Sequence, residues 1–353
     1  MQGWAIVETG APLQEISAPT PEPKGGEVLL EVTHCGVCHS DLYLQDGYYD
    51  LGGGKKLLLS DRGVVLPLVP GHETVGRVIQ IGPEATGVSI GDQCVVYPWI
   101  GCGDCRRCRE GNEQLCLKPA TVGIFRHGGF GSHVLVPRAE HLVKLDGVDP
   151  AVAATYACSG ITAYSAIKKI MPLALDEPIA IIGAGGLGLA AVKILRALKY
   201  ENIIVADVDE NKRRLALSAG ATVSVGSKDV DLTAAIIGAA NGPIMAVIDF
   251  VNSTATANAS INALAKGGIF VPIGLFGGDL TIALPMIPLK GLQIRGSYTG
   301  SLHELRELIA LAKTGALEAL PVELVPRAQA NDAIDRVRRG AVQGRLVLEA
   351  PRF

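Results

Sequence analysis

Four cysteines stand at Cys102, Cys105, Cys108 and Cys116, in the spacing C-x2-C-x2-C-x7-C. Thiolates this close can converge on one tetrahedral Zn²⁺ at about 2.3 Å per bond, and a closed set of four makes the metal structural. The segment around them contains Gly101, Gly103, Asp104 and Gly111 and almost no apolar residues, so its order must come from the metal. An iron–sulfur cluster is the rival occupant, because clusters also use close cysteine runs.

A second set is dispersed. Cys38 lies in Cys35–Gly36–Val37–Cys38–His39–Ser40–Asp41, His72 and Glu73 lie in Gly71–His72–Glu73–Thr74–Val75–Gly76, and Cys158 follows much later. A Cys, a His and a later Cys leave one position of a tetrahedral zinc open to a reactant, as a catalytic site needs. Glu73 is available as a fourth or alternating ligand, and Asp41 can orient His72. Scattered Cys and His residues are also common in cores, and Cys35-x2-Cys38 has the spacing of a redox pair, although no thioredoxin-like pattern surrounds it. Cys35 and Cys94 read as core residues.

The third feature is Gly183–Ala184–Gly185–Gly186–Leu187–Gly188, a G-x-G-x-x-G turn between an apolar strand and a helix. Gly183 permits the tight turn, Gly185 lets backbone approach a pyrophosphate, and Gly188 allows close helix–strand packing. Gly186 and Leu187 open the helix whose free N–H groups would face the phosphates. Asp207 ends the next strand, where its carboxylate can hold the adenosine ribose and repel a 2′-phosphate, so NAD is expected over NADP. Lys212 and Arg213 follow, basic residues at the cofactor that can soften this discrimination.

These groups need two kinds of scaffold. Before residue 157 the chain has short runs rich in β-branched residues, such as Trp4–Val7, Val28–Val32, Arg77–Ile81 and Cys94–Tyr97, bounded by Gly, Pro and Asp. The Gly/Lys-rich stretch Gly47–Gly63 reads as a mobile loop. From Ile179 strands and helices alternate, which predicts a parallel sheet covered on both faces. That rhythm ends near Ser297, and Ser301 with Glu304 makes a capping box for a further helix closed by Gly315. The C-terminal part is too small for its own core and is expected to pack back on the N-terminal part.

Composition narrows the classes. The chain has 353 residues, 48% apolar, with a net charge of −3, enough for two domains and too apolar for disorder. No basic block marks a nucleic-acid partner. Ile179–Val192 is too short and glycine-rich to span a membrane, and Met1–Gln2–Gly3–Trp4 lacks the pattern of a leader. A cytoplasmic location is expected, where eight cysteines favour metal or catalytic roles over disulfides.

The order of these motifs resembles the zinc-dependent medium-chain alcohol dehydrogenases along essentially the whole chain. Gly71–His72–Glu73-x2-Gly76, with Gly82 and Gly91–Asp92, looks like the family's zinc signature. Cys158–Ser159–Gly160–Ile161–Thr162 and Gly274–Leu275–Phe276–Gly277 are similar to runs in its microbial and archaeal tetrameric members. The resemblance implies an α/β fold: a Rossmann doubly wound parallel sheet over 158–297, and a β-rich GroES-like catalytic domain from 1–157 and 298–353 with a structural-zinc lobe at 101–116. It implies two Zn²⁺ per chain and NAD. Cys38, His72 and Cys158 would hold the catalytic zinc, with Glu73 as an occasional ligand, and Ser40 would take the alcohol proton.

It also implies that His39 and Arg345 contact the pyrophosphate, that Thr162 packs on the nicotinamide, and that backbone near Ile273 and Leu275 holds the carboxamide. Trp99 would line the pocket, with Tyr48, Tyr49 and Tyr298 closing another side. Tyr43 departs from the pattern: many relatives carry histidine there, and a phenol with a pKa near 10 is a poor proton acceptor at neutral pH. The implied activity is reversible oxidation of a primary or secondary alcohol, aliphatic or aromatic, to aldehyde or ketone by a homo-oligomer, and a medium-sized alcohol is expected. The alternatives are a polyol dehydrogenase, a zinc-free quinone or enoyl reductase, and a non-catalytic NAD-binding protein.

Overall fold

The computed structural model describes residues 1–228 and 230–350. The period-2 runs of the N-terminal part form β1 (Gln2–Ala5), β2 (Gln14–Ser17) and β3 (Val28–Gly36), followed by helix α1 (His39–Asp46). Next come β4 (Tyr48–Gly52), β5 (Lys55–Leu58), β6 (Glu73–Ile81), β7 (Gln93–Val96), the short α2 (Arg106–Arg109), β8 (His133–Val136) and β9 (Leu142–Lys144). Helix α3 (Pro150–Thr155) runs through a π-helical turn, Tyr156–Gly160, into α4 (Ile161–Ile170).

Strict alternation then sets in: β10 (Ile179–Ile182), α5 (Gly186–Ala197), β11 (Ile203–Asp207), α6 (Glu210–Ser218), β12 (Val223–Gly226) and α7 (Leu232–Ala240). It continues with β13 (Ile244–Asp249), α8 (Thr254–Ala263), β14 (Leu264–Pro272), α9 (Met286–Lys290) and β15 (Gln293–Ile294). The chain closes with α10 (Leu302–Lys313), β16 (Val322–Pro326), α11 (Ala330–Arg338) and β17 (Arg345–Glu349).

Strands β10 to β15 make one parallel sheet in the order β12-β11-β10-β13-β14-β15. The order reverses between β10 and β13, and the crevice at the strands' C-terminal ends there is where such sheets bind ligands. β10 is apolar at every position because both its faces are covered: Ile179 and Ile181 pack into one core, Ala180 and Ile182 into the other. A second, mixed sheet runs β16-β17-β3-β6-β7-β9, with β8 also on β3. In it β17 pairs antiparallel with β3, so the C-terminal part does return to the N-terminal sheet. The Ser301–Glu304 capping box is present at the start of α10.

One expectation fails. Gly47–Gly63 is not an unstructured loop: β4 and β5 pair antiparallel, and Ser60–Arg62 adds a short 3-10 turn. The glycines taken as a sign of mobility are the turn itself, with φ of 82°, 58° and 76° at Gly52, Gly53 and Gly54, a conformation that costs glycine little.

Candidate active site

Cys38 ends the loop that follows β3, His72 and Glu73 enter β6, and Cys158 sits in the π-helical turn. The ladder between β3 and β6 sets Gly36 opposite Glu73, which brings the first two segments side by side. The π turn accommodates one extra residue inside an otherwise α-helical stretch, and Cys158 there approaches Cys38 with Sγ atoms 3.9 Å apart. Ligand atoms of Cys38, His72, Glu73 and Cys158 all lie within 4.8 Å of one another, and all four residues are buried.

The donor set fits a metal ion. His72 Nε2 and Glu73 Oε1 are buried without a hydrogen-bond partner, a costly state for polar atoms unless something binds them. Cys38 is pushed down, first by the hydrogen bond with Cys158, and Cys158 is pushed up by that same bond and by burial. Asp41 organises two members at once. Its Oδ2 accepts from the Cys38 backbone N–H at 2.8 Å, and its Oδ1 lies 3.4 Å from His72 Nδ1, an arrangement that leaves Nε2 available to a metal. The link to Cys38 was missed, although an acid three residues after a helix start is a capping signal.

A second unforeseen contact joins Arg345 to Glu73. Arg345, at the start of β17, ion-pairs with Glu73 Oε2 while almost fully buried. A side chain on Gly36 would collide with that carboxylate, and one on Gly186 would collide with Arg345. Gly36 thus makes room for the Glu73 carboxylate and Gly186 for an arginine that touches both the candidate metal set and the glycine turn.

Cys38 and Cys158 line a cleft of about 340 Å³ whose walls also carry Ser40, His39, Thr162, Trp99, Ile273, Leu275 and Arg345. Gly183, Gly185, Gly186, Leu187 and Gly188 form its far end with Asp207 and Lys212. His72 and Glu73 are fully buried and back the cleft without lining it. The glycine turn fits a dinucleotide: Gly183 has φ 91°, and a Cβ on Gly188 would collide with the Gly183 carbonyl. Asp207 is braced, its Oδ2 accepting from Ala184 N–H at 2.7 Å and its Oδ1 from Asp209 N–H at 2.8 Å. Ser40 Oγ is 3.9 Å from Cys38 Sγ.

Trp99 is buried between the His72 and Tyr298 rings, at 5.4 and 5.9 Å, and donates from Nε1 to the Ala157 carbonyl at 2.9 Å. Tyr49 and Tyr298 line the cleft as expected. Tyr48 does not: its ring lies under the Lys56 ammonium, 3.7 Å from the centroid. Adjacent strand residues point to opposite faces, so only one of Tyr48 and Tyr49 can enter the pocket.

The second thiol cluster lies apart. Cys105 Sγ is 3.5 Å from Cys108 and 3.8 Å from Cys116, and Cys102 is 3.9 Å from Cys108. Backbone N–H groups of Cys105 and Asp104 pull Cys102 down to about 6, while burial pushes Cys108 up to about 12. Glu113 ties this lobe to the mixed sheet, accepting from Gly101 N–H and Arg138 at 2.8 Å each, with His141 Nε2 at 3.0 Å. Glu113, Glu140 and His141 also gather closely, but Arg138 already supplies the cation between them.

Residues 24–147 match the model of the alcohol dehydrogenase GroES-like domain and residues 186–314 that of the zinc-binding dehydrogenases. The NAD-dependent alcohol dehydrogenase of Sulfurisphaera tokodaii is 37% identical over 350 residues, 99% of each chain. The alcohol dehydrogenase structure from the archaeon Aeropyrum pernix superposes with a TM-score of 0.89 at 28% identity, covering 99% of this chain and 100% of that one. A cobalt- and zinc-bound alcohol dehydrogenase from Pyrobaculum aerophilum superposes at 0.83 with 26% identity, over 99% of each. Matched from end to end and carrying the thiol, histidine and glycine motifs in order, the chain belongs to the zinc-dependent medium-chain alcohol dehydrogenases.

Proposed function

We propose that the protein catalyses reversible hydride transfer between a primary or secondary alcohol, aliphatic or aromatic, and NAD. The carrying observation is that an open set of metal-ligating atoms and a dinucleotide turn meet in one cleft, with Arg345 against both. Cys38, His72 and Cys158 would hold a catalytic zinc, with Glu73 Oε1 in reserve, and Cys102, Cys105, Cys108 and Cys116 a structural one, two per chain. Zinc supplies a Lewis acid that makes an alcohol acidic near neutral pH, and NAD supplies the hydride acceptor.

The chain's own residues do the rest. Ser40 takes the alcohol proton at Oγ. Thr162 and the backbone near Ile273 and Leu275 orient the nicotinamide face, and His39, Arg345 and the turn at Gly185–Gly186 hold the pyrophosphate. Asp207 binds the ribose and selects NAD, with Lys212 beside it. Trp99, Tyr49 and Tyr298 give the alcohol pocket an aromatic wall and exclude water. The division of labour follows a catalytic part, 1–157 with 298–353, and a cofactor part, 158–297.

A homo-oligomer, dimer or tetramer, is part of this reading. Among the described residues edge strand β15 pairs on one side, and Leu284, Ile287, Leu289 and Ile294 are exposed near it, a combination that invites a second copy. A cytoplasmic site agrees with eight free cysteines. Among the described residues no helix is long and apolar enough to cross a membrane.

The test is NADH formation from primary, secondary and benzylic alcohols, with NAD and NADP compared, before and after chelation and zinc return. NAD-selective activity lost on chelation and restored by zinc supports the proposal. Chelator-resistant activity points to the zinc-free reductases, and no turnover with any alcohol or carbonyl compound points to a binding protein.

A further inference from the structure

The two sides of the cleft touch at its mouth through a few directional contacts. Helix α1 and the β4–β5 hairpin stand on the mixed-sheet side; the segment after β14 belongs to the parallel sheet. Tyr43, on α1, donates its hydroxyl to the Leu275 carbonyl at 3.1 Å. The His39 ring lies 5.6 Å from that of Phe276. Gly52, in the hairpin turn, packs so closely that a Cβ on it would come within 2.6 Å of Gly278 N.

Residues 275–278 form an arch. Behind it, the Gly274 carbonyl accepts from Asn252 Nδ2 at 3.0 Å; ahead of it, Asp279 N–H donates to Thr254 Oγ1 at 3.0 Å. Between these anchors burial does little, since Leu275 is 48% and Phe276 59% exposed. Gly278 packs against Thr254 on the arch's own side, and from the opposite side the Tyr43 hydroxyl supplies a side-chain hydrogen bond to Leu275. Burial pushes the phenol up from its ordinary value, so the group stays protonated and serves as a donor across the neutral range.

We propose that Tyr43 is a positioning residue: by holding the Leu275 carbonyl it latches the arch over the nicotinamide end of the cleft and sets how fast the reduced cofactor leaves. This rests on the NAD-dependent reading above. It gives the departure at this position a purpose unrelated to proton transfer, because a phenol reaching across the cleft can tie its two sides together.

The experiment compares Tyr43→Phe and Tyr43→His with the parent in the full-length, zinc-loaded enzyme. Stopped-flow displacement of NADH gives the release rate, and single-turnover alcohol oxidation across pH gives the hydride step. Losing one neutral hydrogen bond should speed NADH release about two- to tenfold in both variants, raise the KM for NAD, and leave the single-turnover pH profile of Tyr43→Phe where it was. Unchanged release in Tyr43→Phe overturns the latch. So does a slower hydride step with a displaced pH profile, which would put Tyr43 on a proton path. If the parent binds NADH but oxidises no alcohol, the reaction reading falls while the release rates still decide the latch; if it binds no NADH, both fall.

Discussion

Arg345 and Glu73 form a buried ion pair across the β17–β3–β6 ladder, with Gly36 between them reduced to backbone. Burial pushes the Glu73 carboxyl up to about 7 against the opposing pull of Arg345. The pair is worth less as attraction than its breaking would cost, because a lone buried charge keeps its full desolvation penalty.

Arg345→Met keeps much of the volume and removes the charge. It should cost about 3–5 kcal/mol in urea unfolding, and Glu73→Gln a comparable amount. The double variant should recover much of either loss. Additive losses would mean the two side chains act independently.

Ser40→Ala should lower alcohol turnover about 10²- to 10⁴-fold, the usual range for a lost proton-transfer group, with little change in NADH affinity by fluorescence titration. Equal losses in turnover and affinity would remove Ser40 from the proton path.

Asp207 spends one carboxylate oxygen on the glycine turn at Ala184 and the other on the Asp209 N–H, while also facing the cleft. Asp207→Ala should therefore weaken NAD binding and, with Lys212 and Arg213 nearby, shift the NAD-to-NADP ratio of kcat/KM toward NADP by about tenfold or more, as 1.4 kcal/mol of lost discrimination would do. An unchanged ratio would place the selectivity elsewhere.

Glu113 contributes to the acid limb of stability. Burial alone would raise its carboxyl, but the bonds from His141 and the Gly101 N–H and the charge of Arg138 hold it below the ordinary value. A depressed folded pKa contributes stability that is fully present above the unfolded value, about 4.3, and is lost as pH falls through the folded one. Glu113→Gln should lower Tm at neutral pH, flatten its fall in acid, and speed amide exchange in residues 101–116. Exchange confined to parent rates there would show that the thiol cluster alone orders the lobe.

What was legible divides by range. The glycine turn, the four-cysteine lobe and the strand–helix rhythm are written in contiguous residues, where spacing alone carries geometry. The dispersed ligands were legible only as residue types. Their meeting depends on the β3–β6 register and on a π turn at Cys158, which leave no local mark in the chain. Arg345 was placed at the phosphates by resemblance, but nothing near position 345 announces a partner at position 73. The Gly52–Gly54 run misled because glycine serves a tight hairpin turn and a loose loop equally well.

The position of β17 governs when the enzyme becomes one. Strands β10 to β15 follow one another along the chain, so the parallel sheet can form as it leaves the ribosome, in the order of synthesis. The mixed sheet is finished later: β3 can pair early with β6 and β8, but its other edge stays open until Arg345–Glu349 emerges and pairs with it. Until then Glu73 has no guanidinium beside it, and the thiols of Cys38 and Cys158 belong to an unfinished wall. The buried contact of Arg345 with Glu73 is thereby made at the end of biosynthesis, when the strands of the parallel sheet have already emerged.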